Sequence, residues 1–369
     1  MTNNTIKESE VNGNEYDRKK ELEEFDNTKL GVKGLIDSGI TQIPRIFQHP
    51  PETLFDFQKA VRITGDAENI IPVIDMAGTH EEVVQKIRDA ASTYGFFQVV
   101  NHGVEVSALD RLVGAIRAFF EQPDEEKIKY YNRDSVASGV GYFSNYDLFH
   151  SKAASWRDTL QVQLGPKSVD PNAIPNVCRA EVMEWEKEVK KLSARLLSIL
   201  SEGLGLSADR LSPESFLARI NMAGQYYPYC PEPDKTIGIA SHSDHGTLTV
   251  LLQDDVGGLQ VKYNGQWIDL KPVRGALVIN VGDLIQMVSN DVYKSGEHRV
   301  YANPLPRSRI SVPVFFNPAI TSDKLYGPLP ELVSPEKPAL YKQFTISDMN
   351  AKFLKKELKD KTMTSYFRL

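Results

Sequence analysis

Residues 236–263 read TIGIASHSDHGTLTVLLQDDVGGLQVKY. Short runs rich in Ile, Val, Leu and Tyr alternate with polar turns, which is the pattern of successive β-strands. The pattern extends both ways. Upstream lie FLARINM (216–222) and QYYPY (225–229). Downstream lie QWIDL (266–270), ALVINV (276–281), LIQMV (284–288), HRVYA (298–302) and RISVPVFF (309–316). Asn264-Gly265, between LQVKY and QWIDL, is a strong two-residue hairpin signal. Many short strands at this spacing predict a β-sandwich or jelly-roll barrel.

Before the strand-rich half, the chain alternates strand and helix. IPVIDM (71–76) predicts a short strand, and Thr79 with Glu82 forms a capping-box pattern at the start of a helix. Val83, Val84, Ile87, Ala90, Ala91 and Tyr94 follow at helical spacing up to Gly95. FFQVVN (96–101) predicts a second strand, and 107–120 and 178–202 predict amphipathic helices. Leu22, Phe25, Leu30, Val32, Leu35 and Ile36 are expected to dock an N-terminal arm on the main body. No Pro/Gly/Ser-rich linker divides the chain. The expected organisation is a polar, disordered tail over 1–20, a helical and mixed region over 21–205 packing on the barrel, a barrel core over 206–345, and a C-terminal helix and tail over 346–369 that close the site. The fold class is mainly β with a helical jacket.

The chain has 369 residues, 41% of them hydrophobic, with 43 basic and 49 acidic side chains and a net charge of −6. This leaves ample material for a core and argues against a dedicated nucleic-acid binder, which would show a basic stripe. Two cysteines cannot form a disulfide framework and fit a reducing compartment. No signal-peptide pattern and no membrane-length apolar run is present, so a cytoplasmic monomer with no membrane partner is the expectation.

The sharpest chemical feature is His242-Ser243-Asp244. At i, i+2 spacing on a strand, His242 and Asp244 share a face. His298 lies 54 positions after Asp244 at the start of another strand. Two imidazoles and one carboxylate form the facial triad that holds non-haem Fe(II) while leaving coordination positions open. His245, three positions after His242, is expected on the opposite face. Arg309-Ile310-Ser311 repeats the i, i+2 spacing: a planar fork of donors and a hydroxyl suited to a carboxylate. A ligand with two acidic ends follows, one end on the metal and the other on Arg309. An isolated HxD or RxS pattern is more often structural; their combination in one barrel carries the argument.

Together with GFFQVVNHGV (95–104), YYPYCPEPD (226–234), NVGDLIQMVSND (280–291), EHRV (297–300) and the FRL ending, these motifs resemble the plant family of iron(II)- and 2-oxoglutarate-dependent dioxygenases. The likeness runs from about Ile71 to the C-terminus. The arm FDNTKLGVKGLIDSGITQIPRIF (25–47) is similar to the branch of 1-aminocyclopropane-1-carboxylate oxidase homologues, which includes alkaloid hydroxylases. The resemblance implies a double-stranded β-helix core, iron on His242, Asp244 and His298, and 2-oxoglutarate gripped by Arg309, Ser311 and Tyr227. Gln225 stands where many relatives place an Asn near the metal-bound end of the cosubstrate. The resemblance further implies O2 as cosubstrate, succinate and CO2 as coproducts, and ascorbate as a reductant.

GYFSNYDLFHSKAASWRD (141–158) lies between the helical region and the barrel. Tyr142, Phe143, Tyr146 and Phe149 are expected to form an aromatic wall over a small apolar substrate. Phe315 shares the strand face of Arg309 and Ser311 and is expected to contact substrate. Asn221 and Ala223 are expected to add a polar contact and open space. His102 and Trp156-Arg157-Asp158 are expected to be structural, and Gly282-Asp283 a barrel turn. The expected substrate is a small-molecule alkaloid, indoleamine, steroid-derived compound or phenylpropanoid, with hydroxylation as the default outcome. Alternatives are desaturation, ring closure or O-demethylation at the same iron, an iron oxidase that does not use 2-oxoglutarate, and a noncatalytic metal- or ligand-binding barrel.

Overall fold

Strict side-chain alternation organises the larger of two facing sheets. The computed structural model describes residues 16–58, 70–134, 139–320, 323–354 and 362–369. Eight strands form the major sheet in the order β1-β2-β10-β7-β12-β5-β4-β3. They are β1 (Val73–Asp75), β2 (Phe96–Val100), β3 (Val140–Phe143), β4 (Asp158–Gly165), β5 (Arg219–Tyr227), β7 (Leu248–Gln253), β10 (Leu277–Val281) and β12 (Arg309–Asn317). The minor sheet runs β6-β11-β8-β9, from β6 (Ile237–His242), β8 (Leu259–Tyr263), β9 (Gln266–Asp269) and β11 (His298–Tyr301).

The major sheet has two distinct faces. Val162, Met222, Val314, Val250, Ile279 and Phe97 line up across its strands and belong to the main apolar core. That outer face is covered by the helices His80–Thr93 and Val106–Phe120, with Arg179–Gly203 packed on both, and the buried residues of all three join the same core. On the inner face a second apolar cluster joins Phe96, Tyr227 and Val278 to Leu259, Val261 and Val300 of the minor sheet. The sheets therefore pack over a thin apolar layer at one level and leave a polar interior at another. This is the jelly-roll core that the strand pattern predicts.

Several elements form where the sequence places them. Thr79 caps the helix His80–Thr93 with Glu82 in a reciprocal capping box, and Gly95 ends it at φ +67. Asn264 and Gly265, both at positive φ, turn β8 into β9. In the N-terminal arm, Leu22, Phe25 and Val32 bury against Trp156, Leu148 and Cys230. The thiols of Cys178 and Cys230 are free and buried, and burial pushes both up to about 12.

Other elements differ from the sequence reading. LIQMV forms part of a helix, Asp283–Val288, not a strand. A run this short, with Gln286 as its one polar residue, shows no periodicity that separates the two; Leu284, Ile285, Met287 and Val288 are buried and Gln286 half-buried. FLARINM and QYYPY merge into the single strand β5, with Phe216 left in a helical turn. The strand β4, TLQVQLG in its main part, is not assigned by the sequence reading. It pairs with β5 along most of its length and so stitches the N-terminal region into the barrel sheet. Residues 1–15 lie outside the described residues, and the helix Arg18–Thr28 begins inside the stretch expected as a tail, capped by the Asp17 side chain. Within the expected C-terminal helix and tail, the helices are Ile346–Leu354 and Met363–Phe367, and residues 355–361 lie outside the described residues.

Candidate metal centre and cosubstrate site

His298 on β11 stands directly across from His242 at the end of β6. Their rings lie 4.2 Å apart between centroids. Asp244 follows two residues later in the turn toward β7. Its Oδ1 lies 3.6 Å from His242 Nε2 and 3.9 Å from His298 Nε2. One donor atom from each of the three lies within 4.8 Å of the others. The triad read from the sequence is thus assembled by three segments distant in the chain.

Neighbours fix which atom of each residue faces inward. His242 Nδ1 contacts Ala240 O at 2.9 Å, and His298 Nδ1 contacts Gly296 O at 3.1 Å. A carbonyl only accepts, so each Nδ1 carries the proton and each Nε2 presents a lone pair. The Asp244 Oδ2 accepts from Thr249 Oγ1 at 2.6 Å and from Asn280 Nδ2 at 2.8 Å, which leaves Oδ1 for a metal. Burial raises the Asp244 carboxyl, but the two imidazoles, Thr249 and Asn280 outweigh it and hold the group below the usual range. Burial, helped by His298, pushes His242 down to about 4, so its imidazole is neutral near pH 7. Phe96 closes edge-on against the His298 ring at 5.2 Å.

The turn that carries Asp244 is held by backbone. Gly282, Asp283 and Leu284 N–H donate to the carbonyls of Thr247, Asp244 and Gly246. Gly282-Asp283 therefore begins a helix that braces the ligand turn. The approach is so close that a Cβ at Gly282 would fall 2.1 Å from Gly246 O. Asp283 accepts from Ser243 Oγ at 3.1 Å rather than joining the metal donors. His245 also stays outside the donor cluster. Strand β6 ends at His242, so this follows from the turn and not from strand alternation.

Arg309 and Ser311 lie on the inner face, opposite Tyr227 and Gln225 of β5. The buried guanidinium donates from Nε to Gly257 O at 2.5 Å, from Nη1 to Ser311 Oγ at 3.0 Å and from Nη2 to Gln253 Oε1 at 3.1 Å. It also sits 4.9 Å over the Tyr227 ring. Arg only donates, so the Gln253 amide must turn its oxygen to Arg309 and its nitrogen away. That Nε2 is buried and has no acceptor among the described residues. An orphaned donor beside an arginine fork fits an added carboxylate. Gln225 Oε1 accepts from Thr159 Oγ1 at 2.8 Å, on the same inner row.

The expected substrate wall divides. Phe143 pairs with Thr159 and shares the inner row with Gln225 and Ser311; its ring lies 6.5 Å from that of Tyr146. Asn221 and Phe315 face each other across β5 and β12 on the inner row, and Ala223 lies between Asn221 and Gln225. Tyr142 is a correction. It alternates to the outer face, packs among Phe119, Phe120 and Tyr131, and donates its hydroxyl to Leu30 O at 2.8 Å. It anchors the arm and does not face the site. Phe149 is exposed, with the Arg133 guanidinium 5.5 Å from its ring. His102 is structural as expected, with Nε2 2.9 Å from Gly275 O.

Thr249, Asn280, Phe96 and Gln253 are absent from the sequence-derived site. Their signal is a polar residue isolated inside, or ending, an apolar strand run: Thr249 and Gln253 in TLTVLLQ, Asn280 in ALVINV. Phe96 carries no such signal.

Residues 220–318 match the 2OG-Fe(II) oxygenase superfamily, and residues 71–181 match the family described as non-haem dioxygenase in morphine synthesis N-terminal. The chain is 45% identical to 1-aminocyclopropane-1-carboxylate oxidase homolog 1 of Arabidopsis thaliana, over 91% of this chain and 92% of that one. It is 42% identical to deacetoxyvindoline 4-hydroxylase of Catharanthus roseus, over 95% and 89%. Among solved structures, JOX2 in complex with 2OG, Fe and JA superposes with a TM-score of 0.78 at 33% identity, over 92% of this chain and 97% of that one. No helix among the described residues is long and apolar enough to cross a membrane. The triad, the arginine fork and these similarities agree: the chain belongs to the 2OG-Fe(II) oxygenase superfamily and is an iron(II)- and 2-oxoglutarate-dependent dioxygenase.

Proposed function

We propose that this dioxygenase hydroxylates a specialised plant metabolite with a largely apolar body, such as an alkaloid, indoleamine, steroid-derived compound or phenylpropanoid. The observation that carries this reading is the inner face beside the triad, where Phe143 and Phe315 flank Asn221 and Ala223. The similarity to deacetoxyvindoline 4-hydroxylase supports an alkaloid-type substrate. We also read the chain as a cytoplasmic monomer without a nucleic-acid partner, from its acidic balance and unpaired cysteines.

His242, Asp244 and His298 would hold the iron, with Thr249 and Asn280 fixing the carboxylate. Arg309, Ser311 and Gln253 would hold the distal carboxylate of 2-oxoglutarate, with Tyr227 under the guanidinium. When bound, iron and 2-oxoglutarate together activate O2, with succinate and CO2 released, and oxidise a substrate C–H bond. The chain's own part is orientation and exclusion. The apolar layer of Phe96, Val261 and Val300 keeps water from one side of the triad. Phe143 and Phe315 position the carbon to be oxidised. Desaturation, ring closure and O-demethylation need only a different substrate pose at the same centre. The Arg309 cluster, with its spare buried donor, favours 2-oxoglutarate dependence over an oxidase that omits it.

The test is incubation of the purified enzyme with plant metabolite extract, Fe(II), 2-oxoglutarate and ascorbate. A metabolite gaining one oxygen, with an equal amount of succinate, is expected. Turnover without succinate would refute the reading.

A further inference from the structure

Strands β5 and β12 pair without a bulge from Arg309↔Tyr227 to Asn317↔Arg219. Alternation therefore puts Arg219 and Asn317 on the same inner face as Asn221 and Phe315, Gln225 and Ser311, and Tyr227 and Arg309. Arg219 stands at one end of this face and Arg309 at the other. They are separated by eight residues of β5, a span of roughly 26 Å at strand rise. The end that carries Arg219 is the metal end. Thr247 N–H donates to Phe316 O at 2.9 Å, and a Cβ at Gly246 would fall 2.5 Å from Asn317 Oδ1, so the ligand turn abuts the residue paired with Arg219.

The two arginines are treated differently by their surroundings. Arg309 has a carbonyl, an amide oxygen and a hydroxyl on its fork. The part-buried Arg117 and Arg133 are paired with Asp254 and Asp26. Arg219 is half-buried and has no carboxylate or hydrogen-bond acceptor among the described residues. Burial alone acts on it and holds its pKa below the ordinary value. Its neighbour Asn221 likewise lacks a side-chain hydrogen bond among the described residues. Five N–H donors taken partly out of water with nothing to receive them are costly unless a ligand supplies the acceptor.

We propose that Arg219, assisted by Asn221, is the anchor for a carboxylate carried by the substrate. The apolar body would lie along Phe315 and Phe143, with the reacting carbon over the triad. Arg309 then takes the cosubstrate's acid and Arg219 the substrate's, one at each end of the same strand pair. The proposal rests on the 2-oxoglutarate-dependent reading and narrows its substrate class to amphipathic acids. An arginine that merely lays its stem over apolar surface would show no preference for a charged ligand.

The test uses the full chain loaded with Mn(II) and 2-oxoglutarate, which is inert to oxygen chemistry, in calorimetric titrations. The probes are 3-phenylpropanoate, indole-3-acetate and cyclohexylacetate, each against its methyl ester. At least one acid is expected to bind about tenfold or more tightly than its ester, the weight of a charge-assisted fork. Arg219→Gln should erase that preference while the affinity for 2-oxoglutarate stays as in the wild type, and Arg219→Lys should retain part of it. The proposal is overturned if no acid is preferred to its ester, or if the preference survives Arg219→Gln. Failure of the Mn(II)-loaded wild type to bind 2-oxoglutarate would instead break the underlying reading, and the proposal would fall with it.

Discussion

Asn280 and Thr249 donate to the same oxygen of Asp244, so each removes one rotational option from a metal ligand. Outer partners of this kind commonly hold about ten- to a hundredfold of metal affinity. Asn280→Ala is accordingly expected to weaken Fe(II) binding by about that range while the fold melts near the wild-type temperature; unchanged affinity in an anaerobic metal titration would count against the assignment. Gln253 makes a second prediction. Gln253→Leu removes an oxygen from Arg309 and the spare buried N–H, and should raise the Kd for 2-oxoglutarate by roughly tenfold. Gln253→Glu should do more harm, because the new carboxylate would occupy the Arg309 fork and repel the dianion. At this scale the sequence was legible where spacing carries chemistry: His242, Asp244 and His298 form one donor cluster, and Arg309 and Ser311 share the inner face of the major sheet. It was less so where the role depends on a partner in another strand. Nothing local marks Asn280 as the companion of Asp244, 36 positions away, or distinguishes Tyr142 on the outer face from Phe143 on the inner.

The helix Asp283–Val288 is short, yet its start braces the ligand turn. Gly282→Ala would drive a methyl into Gly246 O and should cost about 1–3 kcal/mol of stability. It should also lower iron affinity, because the turn that carries Asp244 must move; a variant equal to wild type in both would contradict the bracing role. The arm offers a pH prediction. Asp158, at the start of β4, accepts from the backbone N–H groups of Val32 and Lys33, both at 2.8 Å. Burial pushes its carboxyl from 3.8 up to about 6, against the pull of those donors. The folded chain thus keeps this proton to a higher pH than the unfolded chain. Its contribution is fully present below pH 4 and lost as the pH rises through about 6, a change of about 3 kcal/mol. Denaturant melts should show the stability of wild type relative to Asp158→Asn falling across that window; a flat difference would refute it. Element types were mostly readable from periodicity and caps. The exception, LIQMV, is five residues long with one polar position, Gln286, too short for either period to show.

For the whole molecule, one sheet does two jobs. Its outer face is an ordinary apolar core under helices, and its inner face is a row of polar and aromatic residues at fixed register. The strand pattern predicted the barrel, but β4 shows how the N-terminal region enters the same sheet, a long-range pairing that no local signal encodes. An acidic chain with a net charge of −6 thereby presents an arginine at each end of its interior face. The central claim is that His242, Asp244 and His298 hold iron while Arg309 holds 2-oxoglutarate in the same interior. Anaerobic titration of the protein with Fe(II) and 2-oxoglutarate tests it most directly. A weak visible charge-transfer band that saturates at one iron per chain is predicted, lost in Asp244→Ala and shifted to higher 2-oxoglutarate in Arg309→Ala. A full band in Asp244→Ala, or none in the wild type with iron bound, would contradict it.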